Sequence, residues 1–240
     1  MPFISLARRS LAEALGSALL TAIVVGSGIA AQRLSPDDVG LQLLENAAAT
    51  GAGLFALILM FGPVSGSHFN PMVTLIDAAL GSRPWRESLA YLPSQVVGCI
   101  AGAVLANAMF AETVLYISTK ERFSWAHFLA EIVATAGLVF VIFALDRSGR
   151  TPLIPAAVGA YIGAAYFFTS STSFANPAIT IGRMFSDTFA GIAPASAPGF
   201  IAAQLVGGVL GLVALRAFYP VVESRRISES ADSPLIAPSR

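Results

Sequence analysis

The sequence predicts an all-α membrane protein in which six transmembrane helices and two re-entrant half-helices form an inverted repeat. Three observations carry that prediction. The composition is too apolar for a water-exposed globule, six segments are long enough to cross a bilayer, and motifs in the first half recur in order in the second.

Of 240 residues, 55% are hydrophobic and 12% charged, against roughly a quarter charged in an ordinary soluble domain. Mean hydropathy is +0.73. So few charges cannot cover a soluble surface, and the excess apolar area is assigned to lipid. The formal net charge is zero, which gives no footprint for nucleic acid. The single cysteine, Cys99, lies in an apolar stretch and is read as a packing residue; a lone thiol excludes an internal disulfide framework.

Apolar segments run over about 11–32, 43–62, 88–110, 125–145, 152–170 and 197–219. As helices they suffice for a hydrocarbon core of about 30 Å. The first is not read as a cleaved signal, because it is long, carries Glu13 and is followed by five more spans. Six spans put both ends on one side. If that side is the cytoplasm, Arg8, Arg9, Arg83, Arg86, Arg147, Arg150, Arg216, Arg225, Arg226 and Arg240 lie inside, and Arg33, Lys120, Arg122 and Arg183 outside. Ten against four fits the positive-inside rule. The expected location is therefore the cell (inner) membrane with both termini cytoplasmic, residues 223–240 forming a flexible polar tail.

The repeat pairs AEALGSALLTAIVVGSG from Ala12 with AEIVATAGLVFVIFALD from Ala130, SHFNPMVTL from Ser67 with SFANPAITI from Ser173, and SQVVGCIAG from Ser94 with AQLVGGVLG from Ala203. Glu13 and Glu131, Asn70 and Asn176, and Gln95 and Gln204 are separated by 118, 106 and 109 residues. The halves are drawn at 1–116 and 117–222, with half-helices near 70–80 and 176–187. Three spans per half is an odd number, so the second half enters the membrane from the opposite side. The natural site of such an inverted repeat is the midplane. Gly98 with Gly102 and Gly207 with Gly211 are read as close helix contacts. Glu13 and Glu131 are ionisable groups at membrane depth, and either hold irregular loop backbone or move protons.

Each Asn-Pro follows a Ser/Gly-rich approach and precedes an apolar run of about ten residues, half the length a span needs. Proline suits the first helical turn, which puts Asn70 and Asn176 at N-caps. Both half-helices then begin at the membrane centre, with their positive dipole ends meeting there. Non-helical backbone survives at that depth only where it lines a wet cavity. Carbonyls of the approaches and the two asparagine amides would make a narrow polar pore. Positive at its middle, it would repel protons and cations while passing neutral hydroxylated solutes.

Paired Asn-Pro motifs in a six-span inverted repeat resemble the aquaporin, or major intrinsic protein, family. The likeness covers about Leu11 to Phe218, with HFNP, FANPA, Glu13, Glu131, Gln95 and Gln204 where the family has such residues. It implies an aquaporin-like bundle, a pore in every protomer, homotetramers, and a pore midplane formed by Asn70, Pro71, Met72, Asn176, Pro177 and Ala178. Met72 replaces the usual alanine and either narrows the pore or repacks; repacking is preferred. Ile179 stands where the family usually has the arginine of its selectivity filter. The other filter positions, carried over by spacing, fall on Thr50, Ala164 and Ser173, so the resemblance implies a wide, uncharged ring that admits solutes larger than water. Arg183, one turn beyond Ile179, could place a guanidinium in the vestibule; pairing with Asp187 or solvent is the simpler expectation. An aliphatic filter residue in TSFANPAITIGRMFSDTFAG is similar to a bacterial aquaglyceroporin branch linked to arsenic resistance.

The expected function is passive passage of glycerol, metalloid hydroxides such as arsenous acid, and water. The alternatives are a water-selective pore, a proton-coupled transporter using Glu13 and Glu131, and a structural membrane protein. An enzyme is least expected. His68 and His127 lie in separate segments, His68 offering polar contacts to the pore and His127 sitting at an interface. No cofactor or metal is called for, and the expected partners are membrane lipid, small neutral solutes and further copies of the chain.

Overall fold

The computed structural model describes residues 4–220, so the tail expected over 223–240 lies outside the described residues. Within them are α1 (Leu6–Leu34), α2 (Val39–Ser65), α3 (Pro71–Ala79), α4 (Trp85–Met109), α5 (Trp125–Arg147), α6 (Ile154–Phe168), α7 (Pro177–Gly182) and α8 (Ala197–Phe218). The order long, long, short, long occurs twice. Six of these helices, α6 taken with the 3-10 turn before it, are long and apolar enough to cross a membrane, as the hydropathy predicts.

The helix starts are chemically marked. Ser5, Asp38 and Ser124 cap α1, α2 and α5 with side-chain oxygens that accept from the third residue on. Glycines then set the packing. In the first half Gly98 and Gly102 of α4 lie directly on the Ala14 and Ala18 carbonyls of α1; in the second Gly207 and Gly211 of α8 lie on the Ile132 and Ala136 carbonyls of α5. A β-carbon at any of the four would collide with backbone, so small residues permit these approaches. The halves join through α2 and α6. A β-carbon on Gly51 would stand 2.8 Å from the Gly159 carbonyl oxygen, and one on Gly159 would stand 2.6 Å from that of Gly51. Because equivalent residues meet each other there, the pseudo-two-fold axis passes between them.

The two faces of the bundle are identified by their basic residues. On one, Arg9 of α1 pairs with Glu87 of α4 at 2.8 Å, and Arg147 of α5 donates to the Tyr219 carbonyl beyond α8. On the other, Arg33 holds Glu112 at 2.7 Å and Gln32 accepts from the Phe189 amide at 2.9 Å. Leucines, valines and phenylalanines stay exposed along the sides, Leu59, Leu105, Phe167 and Val209 among them, as expected of surfaces that meet lipid or a neighbouring chain.

Candidate functional site

The two short helices meet at the centre, and their caps explain why. Asn70 and Asn176 have extended backbone (φ −150° and −157°), and proline follows each at the first helical position. The Asn70 Oδ1 accepts from the Met72 amide at 2.9 Å; the Asn176 Oδ1 accepts from Ala178 and Ile179 at 3.0 and 3.2 Å. Their amides cross over. Asn70 Nδ2 donates to the Ala175 carbonyl and Asn176 Nδ2 to the Phe69 carbonyl, each at 2.7 Å. This exchange is again between equivalent residues and marks the pseudo-two-fold axis a second time. It uses one N–H of each amide and leaves the other for the cavity.

The approaches to the asparagines are strained in the same way in both halves. Positive φ occurs at Gly66 (95°), Ser67 (53°) and Phe69 (48°), and at the equivalent Thr172 (61°), Ser173 (50°) and Ala175 (47°). For non-glycine residues this costs about 1 kcal/mol or more each, and each loop is held against it by one buried carboxylate. Glu13 accepts from Ser65 Oγ (2.6 Å), the amides of His68 (3.0 Å) and Phe69 (2.7 Å), and Gln95 Nε2 (2.8 Å). Glu131 accepts from Ser171 Oγ (2.6 Å), the amides of Phe174 and Ala175 (both 2.9 Å), and Gln204 Nε2 (2.6 Å). Each glutamine continues to a threonine, Thr74 at 2.9 Å and Thr180 at 3.0 Å, whose hydroxyl donates to the Asn70 or Asn176 carbonyl. Both carboxylates are fully buried, take four donors apiece and stay behind the cavity wall. Each carboxylate thus ties its strained loop to the helix behind it.

A cavity of about 300 Å³ runs past both asparagines. At one end it is lined by Asp77, Ser82, Asp146 and Thr151, and at the other by Thr50, Tyr166, Ile179 and Arg183. His68 lines it between them, with Nδ1 at 3.0 Å from Thr74 Oγ1 and Nε2 at 3.6 Å from Asp77. Arg83 closes that cluster, donating to the Tyr91 hydroxyl at 2.6 Å and to the Ser65 carbonyl at 2.9 Å. His127 lies elsewhere, with its ring nitrogen at 2.8 Å from the hydroxyl of its helix cap, Ser124.

Several sequence-based expectations need correction here. Ala164 is exposed on the outside of α6 and does not line the cavity; Tyr166 does, its hydroxyl 3.1 Å from Thr50 Oγ1. Two residues are a little over half a helical turn, which moves a side chain to the opposite face. The ring of Thr50, Ser173 and Ile179 is therefore completed by an aromatic side chain, and it is also charged. Arg183 is 2% exposed, its guanidinium lies 3.4 Å from the centre of the Phe174 ring, and its Nε donates to the Ala190 carbonyl. The expected pairing with Asp187 is not made. That carboxylate instead accepts from the Thr119 amide at 2.9 Å and from the Thr119 and Ser118 hydroxyls.

Met72 does not line the cavity either. It is 3% exposed and its terminal methyl sits against Gly208 of α8, where any other residue would put its β-carbon. Pro71, Pro177 and Ala178 are likewise buried behind the asparagines. The second half-helix is shorter than expected. α7 ends at Gly182 and passes into a 3-10 turn, Arg183–Phe185. There Arg183 turns to Ala190, and Ser186 Oγ donates to Asn107 Oδ1 at 2.7 Å.

The segment that receives Arg183 is itself tied down by cations. Lys120 donates to the Phe189 carbonyl at 3.0 Å, and Arg122 to those of Phe189 and Gly191 at 2.7 and 2.6 Å. Desolvation, then repulsion from Arg122 and Arg183, pushes the Lys120 amine down to about 8, so it is still mostly charged at neutral pH. Sequence reasoning missed Tyr166, Phe174 and the paired threonines. The threonines did carry a signal, since Asn-Pro-x-x-Thr occurs in both motifs.

Comparison with known proteins agrees with this architecture. The family model described as Major intrinsic protein matches residues 3–175. The chain is 50% identical over 211 residues to the aquaglyceroporin AqpS of Rhizobium meliloti, covering 88% of this chain and 90% of that protein. It is 31% identical over 210 residues to Aquaporin-10 of Milnesium tardigradum, covering 75% of this chain and 51% of that one. The solved aquaglyceroporin of Plasmodium falciparum superposes with a TM-score of 0.68 at 19% identity, over 88% of this chain and 96% of that one, a likeness of fold. With the crossed asparagines, the twin carboxylate scaffolds and the cavity between them, these matches show that the chain belongs to the major intrinsic protein family.

Proposed function

We propose that the protein is a passive transmembrane channel for small uncharged solutes, glycerol and metalloid hydroxides such as arsenous acid among them, with water passing too. The observation that carries this reading is the cavity that runs past both asparagine amides, with acidic and hydroxyl groups at one end and a mixed polar and apolar ring at the other. A hydroxylated solute entering it would exchange water for the free amide hydrogens and loop carbonyls. Cations and protons face the positive ends of two half-helices and a buried guanidinium. The two glutamates are already saturated with donors, which argues against a proton-coupled cycle. The likeness to an aquaglyceroporin at 50% identity supports glycerol in particular.

The same reading places the face of Arg9 and Arg147 toward the cytoplasm, in a bacterial inner membrane, by the positive-inside rule. It also makes the protein a homotetramer. The outward groove between α2 and α6, lined by Ala48, Gly51, Ala52, Ala160 and Gly163, presents the small residues that close helix contacts in lipid require.

Ile179→Arg tests the solute class. In proteoliposomes followed by stopped-flow light scattering, the parent channel is expected to admit glycerol and arsenous acid. The substitution, which adds bulk and a second charge beside Arg183, should lower both permeabilities at least tenfold and reduce water flow less. Water flow without solute entry in the parent would mean a water-selective pore.

A further inference from the structure

The ring at the Ile179 end of the cavity contains a cation that no acid among the described residues pairs with. Arg183 reaches it from the 3-10 turn after α7, and its position is fixed three ways. The Phe174 ring lies under the guanidinium at 3.4 Å, the Ala190 carbonyl holds Nε, and Lys120 with Arg122 locks the carbonyls on either side of Ala190. The Phe174 ring is anchored in turn by Phe200, centroid to centroid 5.0 Å, and is approached by the Arg122 guanidinium at 5.6 Å.

The terminal nitrogens of Arg183 are left over. Among the described residues no carboxylate lies within 4.0 Å of the guanidinium, and neither terminal nitrogen donates a hydrogen bond. Neither is sealed from the cavity that the side chain lines. Asp187, the acid nearest in sequence, is spent on Thr119 and Ser118. A side chain 2% exposed that keeps free N–H groups and an unneutralised charge has its partners in the conduit: water, or the solute itself.

We propose that Arg183 determines the specificity of this channel, its fixed charge excluding cations at the ring while its free N–H groups bind the oxygens of passing neutral solutes. The proposal rests on the channel reading above. A full charge a few ångströms from a narrow path, in surroundings less polarisable than water, raises the barrier to a permeating cation far more than it alters that for a neutral molecule. Stacking on Phe174 lets the group stay charged while buried, because a ring face attracts a cation without neutralising it.

The test separates charge from shape. Arg183→Gln keeps a planar group with N–H donors and loses the charge; Arg183→Lys keeps the charge and loses the plane; Arg183→Leu loses both. Each is reconstituted as the full chain, and sodium and proton conductance are measured alongside glycerol entry. The expected result is a rise in cation conductance of roughly tenfold or more in the Gln and Leu variants, parent-like exclusion in the Lys variant, and slower glycerol entry in Leu than in Gln. Cation conductance equal to the parent's in both Gln and Leu variants that still pass glycerol would overturn the role of Arg183. Absence of glycerol entry in the parent itself would instead overturn the channel reading on which the proposal rests.

Discussion

A single buried carboxylate in each half gathers the donors of one strained loop. Glu131 accepts four hydrogen bonds, two from loop amides whose neighbours Thr172, Ser173 and Ala175 sit at positive φ. Replacing it by glutamine puts an NH₂ where two donors point, leaving those donors without an acceptor in a dry interior. Each such loss costs about 1–3 kcal/mol. Glu131→Gln is therefore expected to lower the melting temperature in detergent by several degrees and to cut glycerol entry, with a thermal scan and a flux assay as the readouts. A proton carrier would behave otherwise, keeping its fold and losing only coupling. The repeat marked Glu13 and Glu131 as a pair, but sequence alone left two roles open. A carboxylate that scaffolds and one that shuttles protons look alike until their donors are counted.

Among the elements, the half-helices were legible from Asn-Pro followed by a short apolar run, and the helix contacts from glycines at matching places in both halves. The end of α7 was not legible: it falls at Gly182, sooner than the apolar run suggested, and beyond it Arg183 and Ser186 make tertiary bonds to Ala190 and Asn107. Nor was the face of α6. Spacing from the second motif pointed to Ala164, whereas it is Tyr166, two residues on, that faces Thr50. The seat of Met72 is a further property of packed elements, since its methyl fills the place of a missing β-carbon on α8. Gly208→Ala should thus destabilise by about 1–3 kcal/mol through overpacking, and Met72→Ala should relieve most of that cost. A double-mutant cycle on thermal or denaturant unfolding measures the coupling. Additive effects would mean that the two residues do not share the space.

For the whole molecule, the inverted repeat was readable because its two copies retain the same chemistry at the same places: glutamate, Ser-x-Ser, Asn-Pro-x-x-Thr and glutamine. The Ile179 end of the cavity was less readable because it departs from the repeat. Tyr166 of α6 and Phe174 of the second approach meet Arg183 there, which is carried by the 3-10 turn and held by the segment over 189–191, pieces with no counterpart pattern in the first half. The central claim is that this arrangement lets neutral solutes equilibrate without a driving ion. The direct measurement is glycerol entry into proteoliposomes by stopped-flow light scattering, with and without an imposed pH gradient. Fast re-swelling at the same rate in both conditions, stopping at equal concentrations, is the result predicted for a passive channel. Entry that requires the gradient, accumulation beyond equality, or no entry above empty liposomes would contradict it.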